Sequence, residues 1–157
     1  MDGILSASGL GFVLSGVARF CWPSLERGLE AENVALKAGE LRTLVQIAGI
    51  PRLTMRGLAG RMGVQPMTAS DFVTQLEARG PVERTIDPED RRARRLEVTA
   101  ASDRVFRRIA PVALRVHQLS VRRLDEAERN ELTRMLLMVR AGFMDPQDED
   151  RNPRSNR

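Results

Sequence analysis

Residues 53–99 read LTMRGLAGRMGVQPMTASDFVTQLEARGPVERTIDPEDRRARRLEVT, and the rest of the chain is understood from this stretch outward. Leu53-Thr54 sets a hydroxyl cap before Leu58, Ala59 and Met62, which recur at helical spacing. Gly63 closes that helix, and Gln65-Pro66 opens another with proline at the first helical position, where its missing N–H costs nothing. Ala69, Phe72, Val73 and Leu76 share one face of the second helix. Gln65, Met67, Thr68, Ser70, Asp71, Thr74 and Gln75 share the other. Arg79-Gly80 ends it, with a cation in the last turn and glycine beyond. Val82–Thr85 and Leu96–Val98 alternate apolar and polar, as a half-buried hairpin does. Between them lie Asp87-Pro88-Glu89-Asp90 and then Arg91, Arg92, Arg94 and Arg95.

Helix, turn, helix, strand, basic loop and strand, in that order, make a winged helix-turn-helix. Its second helix has the width of a DNA major groove, and its exposed face carries hydrogen-bonding groups. Gln65, Met67, Thr68, Ser70, Asp71 and Gln75 are therefore the candidate base readers. Taken alone, the arginine cluster reads as a solvated loop. Set between two strands just after such a helix pair, it reads as a wing reaching DNA, with Arg91 and Arg94 clamping phosphates.

Several of these residues also carry a family resemblance. Leu53-Thr54, Leu58-Ala59, the run Val64–Glu77, Gly80-x-Val82-Glu83-Arg84, Asp90-x-Arg92 and Leu96-x-Val98-Thr99 resemble the MarR family of bacterial transcription regulators, over about a third of the chain. The resemblance implies a homodimer with paired N- and C-terminal helices on a pseudo-palindromic double-stranded operator. It also implies release by a small molecule, often an aromatic acid or a phenol. The Asp90-x-Arg92 pair matches the family's wing motif: Asp90 holds an arginine and shapes the loop, and Arg92 enters the minor groove. Two positions depart from the pattern. Asp71 stands where many relatives carry a basic residue, and a carboxylate there repels phosphate but can accept from cytosine N4. Pro81 replaces an aliphatic residue, and its missing N–H places it ahead of the strand ladder or at an edge.

Outside this stretch the signals are simpler. A chain of 157 residues with 42% hydrophobic content can bury a core. The reading is mainly α with a small β-hairpin: residues 1–34 an N-terminal dimerisation segment, 35–99 the winged domain, 100–144 C-terminal dimerisation helices and 145–157 a disordered tail. Leu10, Val13, Leu14, Val17 and Phe20 predict a helix over 10–22, interrupted at Trp22-Pro23 and restarted at Ser24. Residues 35–48 form the next helix, with Leu36, Leu41, Leu44, Val45 and Ala48 as its buried stripe. After Thr99 a long helix carries a heptad seam of Val105, Ile109, Val112, Val116 and Leu119, bent at Pro111. Asp125 and Glu128 form a capping box for the last helix, whose apolar face is Leu132, Met135, Leu136, Val139 and Phe143. These terminal helices carry more apolar surface than the winged domain covers, so a second copy is the expected partner.

No apolar run reaches 18 residues, and the stretch 3–20 lacks the basic start of a signal peptide, so no membrane is implied and the expected compartment is the cytoplasm. Net charge is +4, and Lys37 is the only lysine among 25 basic residues. One histidine, one cysteine and no tyrosine leave little for catalysis. His117 has no metal ligand at suitable spacing and reads as a packing or interface residue. No phosphate loop or nucleophile motif stands anywhere, so we expect no enzyme, no metal and no cofactor. For a small-molecule effector the candidates are Phe12, Arg19, Phe20, Trp22 and Arg42: rings to stack an aromatic acid and cations to pair its carboxylate. Against this stand an ordinary core tryptophan with surface arginines, a thiol switch at Cys21, and a winged fold that binds protein instead of DNA.

Overall fold

The computed structural model describes residues 7–87 and 94–143. In order these form α1 (Leu10–Ala31), α2 (Ala38–Gly49), α3 (Met55–Met62), α4 (Pro66–Arg79), β1 (Val82–Ile86), β2 (Arg94–Val98), α5 (Ala101–Ser120) and α6 (Glu126–Gly142). The chain divides into two compact units, one ending at His117 and the other beginning at Gln118. The expected tail, 145–157, lies outside the described residues.

The local signals at the helix pair hold in detail. The Thr54 hydroxyl accepts the Gly57 N–H at 3.2 Å and so satisfies a donor that the first turn of α3 leaves open. Gly63 ends α3 at φ +64 and Gly80 ends α4 at φ +92, both left-handed conformations that a Cβ would strain. β1 and β2 pair antiparallel, Val82 opposite Val98 and Ile86 opposite Arg94. Pro81 precedes the ladder, and its carbonyl accepts the Thr99 N–H at 3.0 Å. The wing is also fastened to the start of α3: Leu96 N–H donates to the Leu53 carbonyl at 2.8 Å, and Thr54 bridges Arg95.

Two apolar clusters hold the first unit. One joins Leu44, Ile47, Leu53, Leu58, Ala59, Met62, Ala69, Val73, Leu76, Val82 and Leu96, and it closes the winged domain on itself. The other joins Leu25, Leu29 and Val34 to Leu41, Ile109 and Val112. At the second cluster α1 and α5 lie so close that a Cβ on Gly28 would meet the Val112 side chain at 2.5 Å. A Cβ on Gly39 would likewise run into the ring of Phe72.

Three expectations need correction. Helix α1 runs unbroken through Pro23. Proline removes one intrahelical bond, and burial of Leu25 and Leu29 on the far side of it keeps the helix going. In α2 the buried set is Glu40, Leu41, Thr43, Leu44 and Ile47, whereas Val45 and Ala48 are exposed. Steps of three lead from Leu41 through Leu44 to Ile47, whereas the steps of four to Val45 and Ala48 fall on the exposed side. Finally, most of the α5 seam is spent inside one chain. Ile109 and Val112 are buried in the second cluster, Val105 and Val116 pack against it, and Leu119 alone of the five is exposed. A heptad pattern records an apolar stripe without saying which helix meets it.

The second unit contains α6. Asp125 accepts the Glu128 N–H at 2.9 Å while the Glu128 carboxylate accepts the Asp125 N–H at 2.8 Å, the reciprocal cap read from sequence. No residue of α6 is buried.

Candidate nucleic-acid interface

Helix α4 is the centre of the site. Ala69, Val73 and Leu76 are fully buried and Phe72 half-buried, which fixes the rotation of the helix about its own axis. Gln65, Met67, Asp71 and Gln75 are thereby exposed, Met67 at 73% of its free surface, with Thr68 and Ser70 half-buried beside them. The six candidate base readers thus lie on the open side of α4 and in the turn before it. That surface is polar apart from Met67, whose flexible thioether suits contact with a base edge or a thymine methyl.

Two ion pairs hold the helix from behind. At its last residue, the Arg79 guanidinium grips the Glu40 carboxylate in a fork, Nη1 to Oε2 at 2.9 Å and Nη2 to Oε1 at 3.0 Å. Nη1 also donates to the Ala35 carbonyl at 2.7 Å. Glu40 accepts the Lys37 N–H as well, at 3.0 Å. Burial pushes the Glu40 carboxyl up, but hydrogen bonds from Arg79 and the Lys37 backbone outweigh it, so the net shift is below the ordinary carboxylate range. Two residues before Arg79, Glu77 pairs with Arg84 of β1 at 2.5 Å, and Arg84 also donates to the Thr74 hydroxyl at 3.3 Å. Thr74, on the polar side of the helix, is committed to the protein's own wing.

In the wing, the Arg95 Nε and Nη2 donate to the two oxygens of Asp87 at 2.6 and 2.5 Å. Both side chains are nearly enclosed, at 9% and 13% exposure. A bidentate pair of this kind sets direction as well as distance, so it stiffens the base of the hairpin. Arg94 is exposed at the first position of β2, opposite Ile86. Asp90, Arg91 and Arg92 lie outside the described residues.

The five candidate effector residues divide. Phe12, Arg19 and Phe20 are exposed on α1. Trp22 and Arg42 meet, with the guanidinium carbon 5.5 Å from the ring centroid. Arg42 also donates to the Met62 carbonyl at 3.1 Å. One cation therefore ties α1 to the end of α3 by a cation–π contact and a helix-end hydrogen bond. Cys21 is half-buried, and His117 is exposed rather than packed. Among the described residues no group of three or more His, Cys, Asp or Glu side chains is placed to hold a metal ion.

Sequence reasoning missed Glu40, Arg84, Asp87 and Arg95 as site-building residues. Glu40 had a signal: a carboxylate one residue before Leu41 on an apolar stripe needs a buried partner. Arg79 was visible only as a helix-end cation, and nothing in the sequence joined it to a residue 39 positions away.

The geometry has counterparts among known proteins. Residues 36–93 match the MarR family. A crystal structure of MarR is similar at 29% identity and TM-score 0.68, over 83% of this chain and 93% of that one. CouR from Rhodococcus jostii RHA1, bound to p-coumaroyl-CoA, is similar at 25% identity and TM-score 0.72, over 83% of this chain and 91% of that one. A MarR transcriptional regulator from Methanosarcina mazei Go1 shares the fold at 19% identity and TM-score 0.73, over 86% of this chain and 96% of that one. No protein of curated function matches the chain by sequence.

Proposed function

We propose that the chain is a winged-helix transcription regulator of the MarR family, and that it is a cytoplasmic, homodimeric repressor released from a pseudo-palindromic operator by a small molecule. The observation that carries the reading is the open face of α4. Gln65, Thr68, Ser70, Asp71 and Gln75 are presented on a helix held by Glu40 and Arg84, beside a hairpin held by Asp87 and Arg95. Direct base reading needs a helix fixed in this way, because a discrimination of about 1–3 kcal/mol per bidentate contact is lost if the donor wanders. Gln65, Met67, Thr68, Ser70, Asp71 and Gln75 face bases, Arg91 and Arg94 neutralise phosphates, and Arg92, positioned by Asp90, enters the minor groove. Two copies would set their α4 helices in successive major grooves, about one helical turn apart. No catalytic step belongs to this function.

For the effector we propose an aromatic carboxylic acid or phenol, recognised where Trp22 meets Arg42, with Phe12, Arg19 and Phe20 of α1 contributing. The Trp22–Arg42 contact supports the site, because a ligand taking either partner acts on the Met62 end of α3. CouR, similar at 25% identity, is bound to p-coumaroyl-CoA, whose phenol ring supports an aromatic effector. Gel-shift with the promoter beside the coding region tests the first proposal: a retarded, salt-sensitive complex is expected, and absence of any complex at micromolar protein refutes it. Trp22 fluorescence tests the second. An aromatic acid should quench or shift it, excess operator should weaken that response, and Trp22→Ala should keep DNA binding while losing release.

A further inference from the structure

The open face of α4 carries an acid where it would meet a polyanion, and that acid is unclaimed by the protein. Asp71 is exposed and, among the described residues, makes no hydrogen bond or ion pair. The cations fixed to α4 are already engaged, Arg79 by Glu40 and Arg84 by Glu77 and the Thr74 hydroxyl. One turn before Asp71 stands Met67, 73% exposed, an apolar side chain beside a polar row. Residues four apart share a helix face and are separated by about 6 Å along its axis. That is less than two base-pair steps of about 3.4 Å.

The chemistry of the two side chains restricts what they can read. A carboxylate only accepts hydrogen bonds. In the major groove the base donors are cytosine N4 and adenine N6. Adenine sets its N7 acceptor beside N6, and a carboxylate laid against that edge meets the N7 lone pair. Cytosine has a carbon at the corresponding place, so a carboxylate favours cytosine. Met67 brings an apolar thioether, and the apolar group of the groove is the thymine methyl. The Asp71 charge has a second consequence. Phosphates repel it at every sequence, and only a site that supplies a donor offsets the repulsion, so it discriminates against unrelated DNA.

We propose that Asp71 and Met67 form the specificity pair of this chain. Asp71 selects a cytosine through N4, Met67 selects a thymine methyl within two base pairs of it, and the Asp71 charge lowers affinity for other sequences. The proposal rests on α4 being the helix that enters the groove.

The test is selection of duplexes from a random-sequence library by the full chain, followed by sequencing and by anisotropy at fixed salt. The wild type should enrich a motif with a fixed cytosine and a thymine within two base pairs. Changing that C·G pair to A·T should weaken binding about tenfold. Asp71→Asn should reverse the preference to adenine, because an amide both donates and accepts and so pairs with N6 and N7 together. The same variant should bind an unrelated duplex more tightly than the wild type does. Replacing the thymine by uracil deletes only the methyl group, so it should weaken the wild type severalfold and leave Met67→Ala unaffected. Both side chains are exposed, so neither substitution disturbs the core. A motif that keeps its cytosine in Asp71→Asn, or equal losses on uracil replacement in wild type and Met67→Ala, would overturn the assignment and leave the regulator reading standing. No enriched motif with the wild type at micromolar chain would refute the regulator reading and this pair with it.

Discussion

Helices α4 and α6 differ little in length, 14 and 17 residues, and both are amphipathic, but the chain treats them differently. Along α4 three apolar residues are fully buried and the last turn is locked by an ion pair. Along α6 none is buried, and Leu132, Met135, Leu137, Met138 and the following Phe143 are exposed. The first half of α1 is like α6, with Leu10, Phe12, Val13, Val17 and Phe20 exposed, while its second half enters the core through Leu25 and Leu29. The difference teaches which surfaces one chain completes by itself. The winged domain is finished within a single copy, whereas the terminal helices leave apolar faces of a kind that ordinarily marks an association site. We propose that a second copy covers them.

The largest effects should fall where the chain is self-sufficient. Leu76→Ala and Leu29→Ala each remove a wholly buried side chain, one from either cluster, and should cost about 2–5 kcal/mol in urea unfolding. Met138→Ala in α6 should cost far less at concentrations where the chain is monomeric. Equal losses at all three positions would break the comparison. Val116→Asp belongs with the first pair. Its side chain packs against the α1–α5 cluster, so the expected defect is lost stability of the single chain, visible before any loss of association.

Next come the contacts that finish the recognition surface. Arg92→Ala should weaken operator binding by about 1–3 kcal/mol in fluorescence anisotropy at fixed salt, with the oligomeric state unchanged. Full affinity would take Arg92 out of the interface. Glu40→Gln should cost about 1–2 kcal/mol of stability, less than a wholly buried pair, because the Arg79 side chain is 40% exposed and partly screened. The same pair gives a pH signature. Folding lowers the Glu40 pKa from 4.5, so its contribution is complete above that value and is lost as pH falls through the lower folded value. Urea midpoints should therefore fall less between pH 6 and pH 3 in Glu40→Gln than in the wild type. Parallel curves would show that Glu40 does not carry the linkage.

What was legible in the sequence follows the same division. Caps and turns are local, so Thr54, Gly63, Pro66, Gly80 and the Asp125–Glu128 box could be read without tertiary knowledge, and each stands where expected. The polar side of α4 was legible because burial of Ala69, Val73 and Leu76 fixes what remains outside. Long-range pairs were not legible. Arg79 and Glu40 are 39 residues apart, and nothing in their local pattern joins them. The wing showed a cluster of arginines, and only the packing against Thr54 and Asp87 tells that Arg95 is structural while Arg94 is exposed. The α5 seam illustrates the ambiguity of periodicity, since its stripe would look the same facing α1 or a partner.

The smallest expected change is also the sharpest test of the comparison. Phe20 is 75% exposed in the single chain, so Phe20→Ser removes little buried surface and should alter monomer stability by no more than about 0.5 kcal/mol. A dimer adds a term the monomer lacks. Whatever binds the folded state and not the unfolded one raises apparent stability, and when the ligand is another copy the unfolding midpoint climbs with total chain concentration. The wild type should therefore unfold at higher urea as protein is raised from sub-micromolar to tens of micromolar. Phe20→Ser combined with Val17→Ser should flatten that dependence, leaving the low-concentration midpoint where it was. The core variant Leu76→Ala should lower the whole curve and keep its slope, because it weakens the fold without touching the surface that associates. A wild-type midpoint independent of concentration over that range, with a monomeric mass in sedimentation, would mean that no second copy covers the face of α1. A shared slope in wild type and double variant would mean that association uses some other surface.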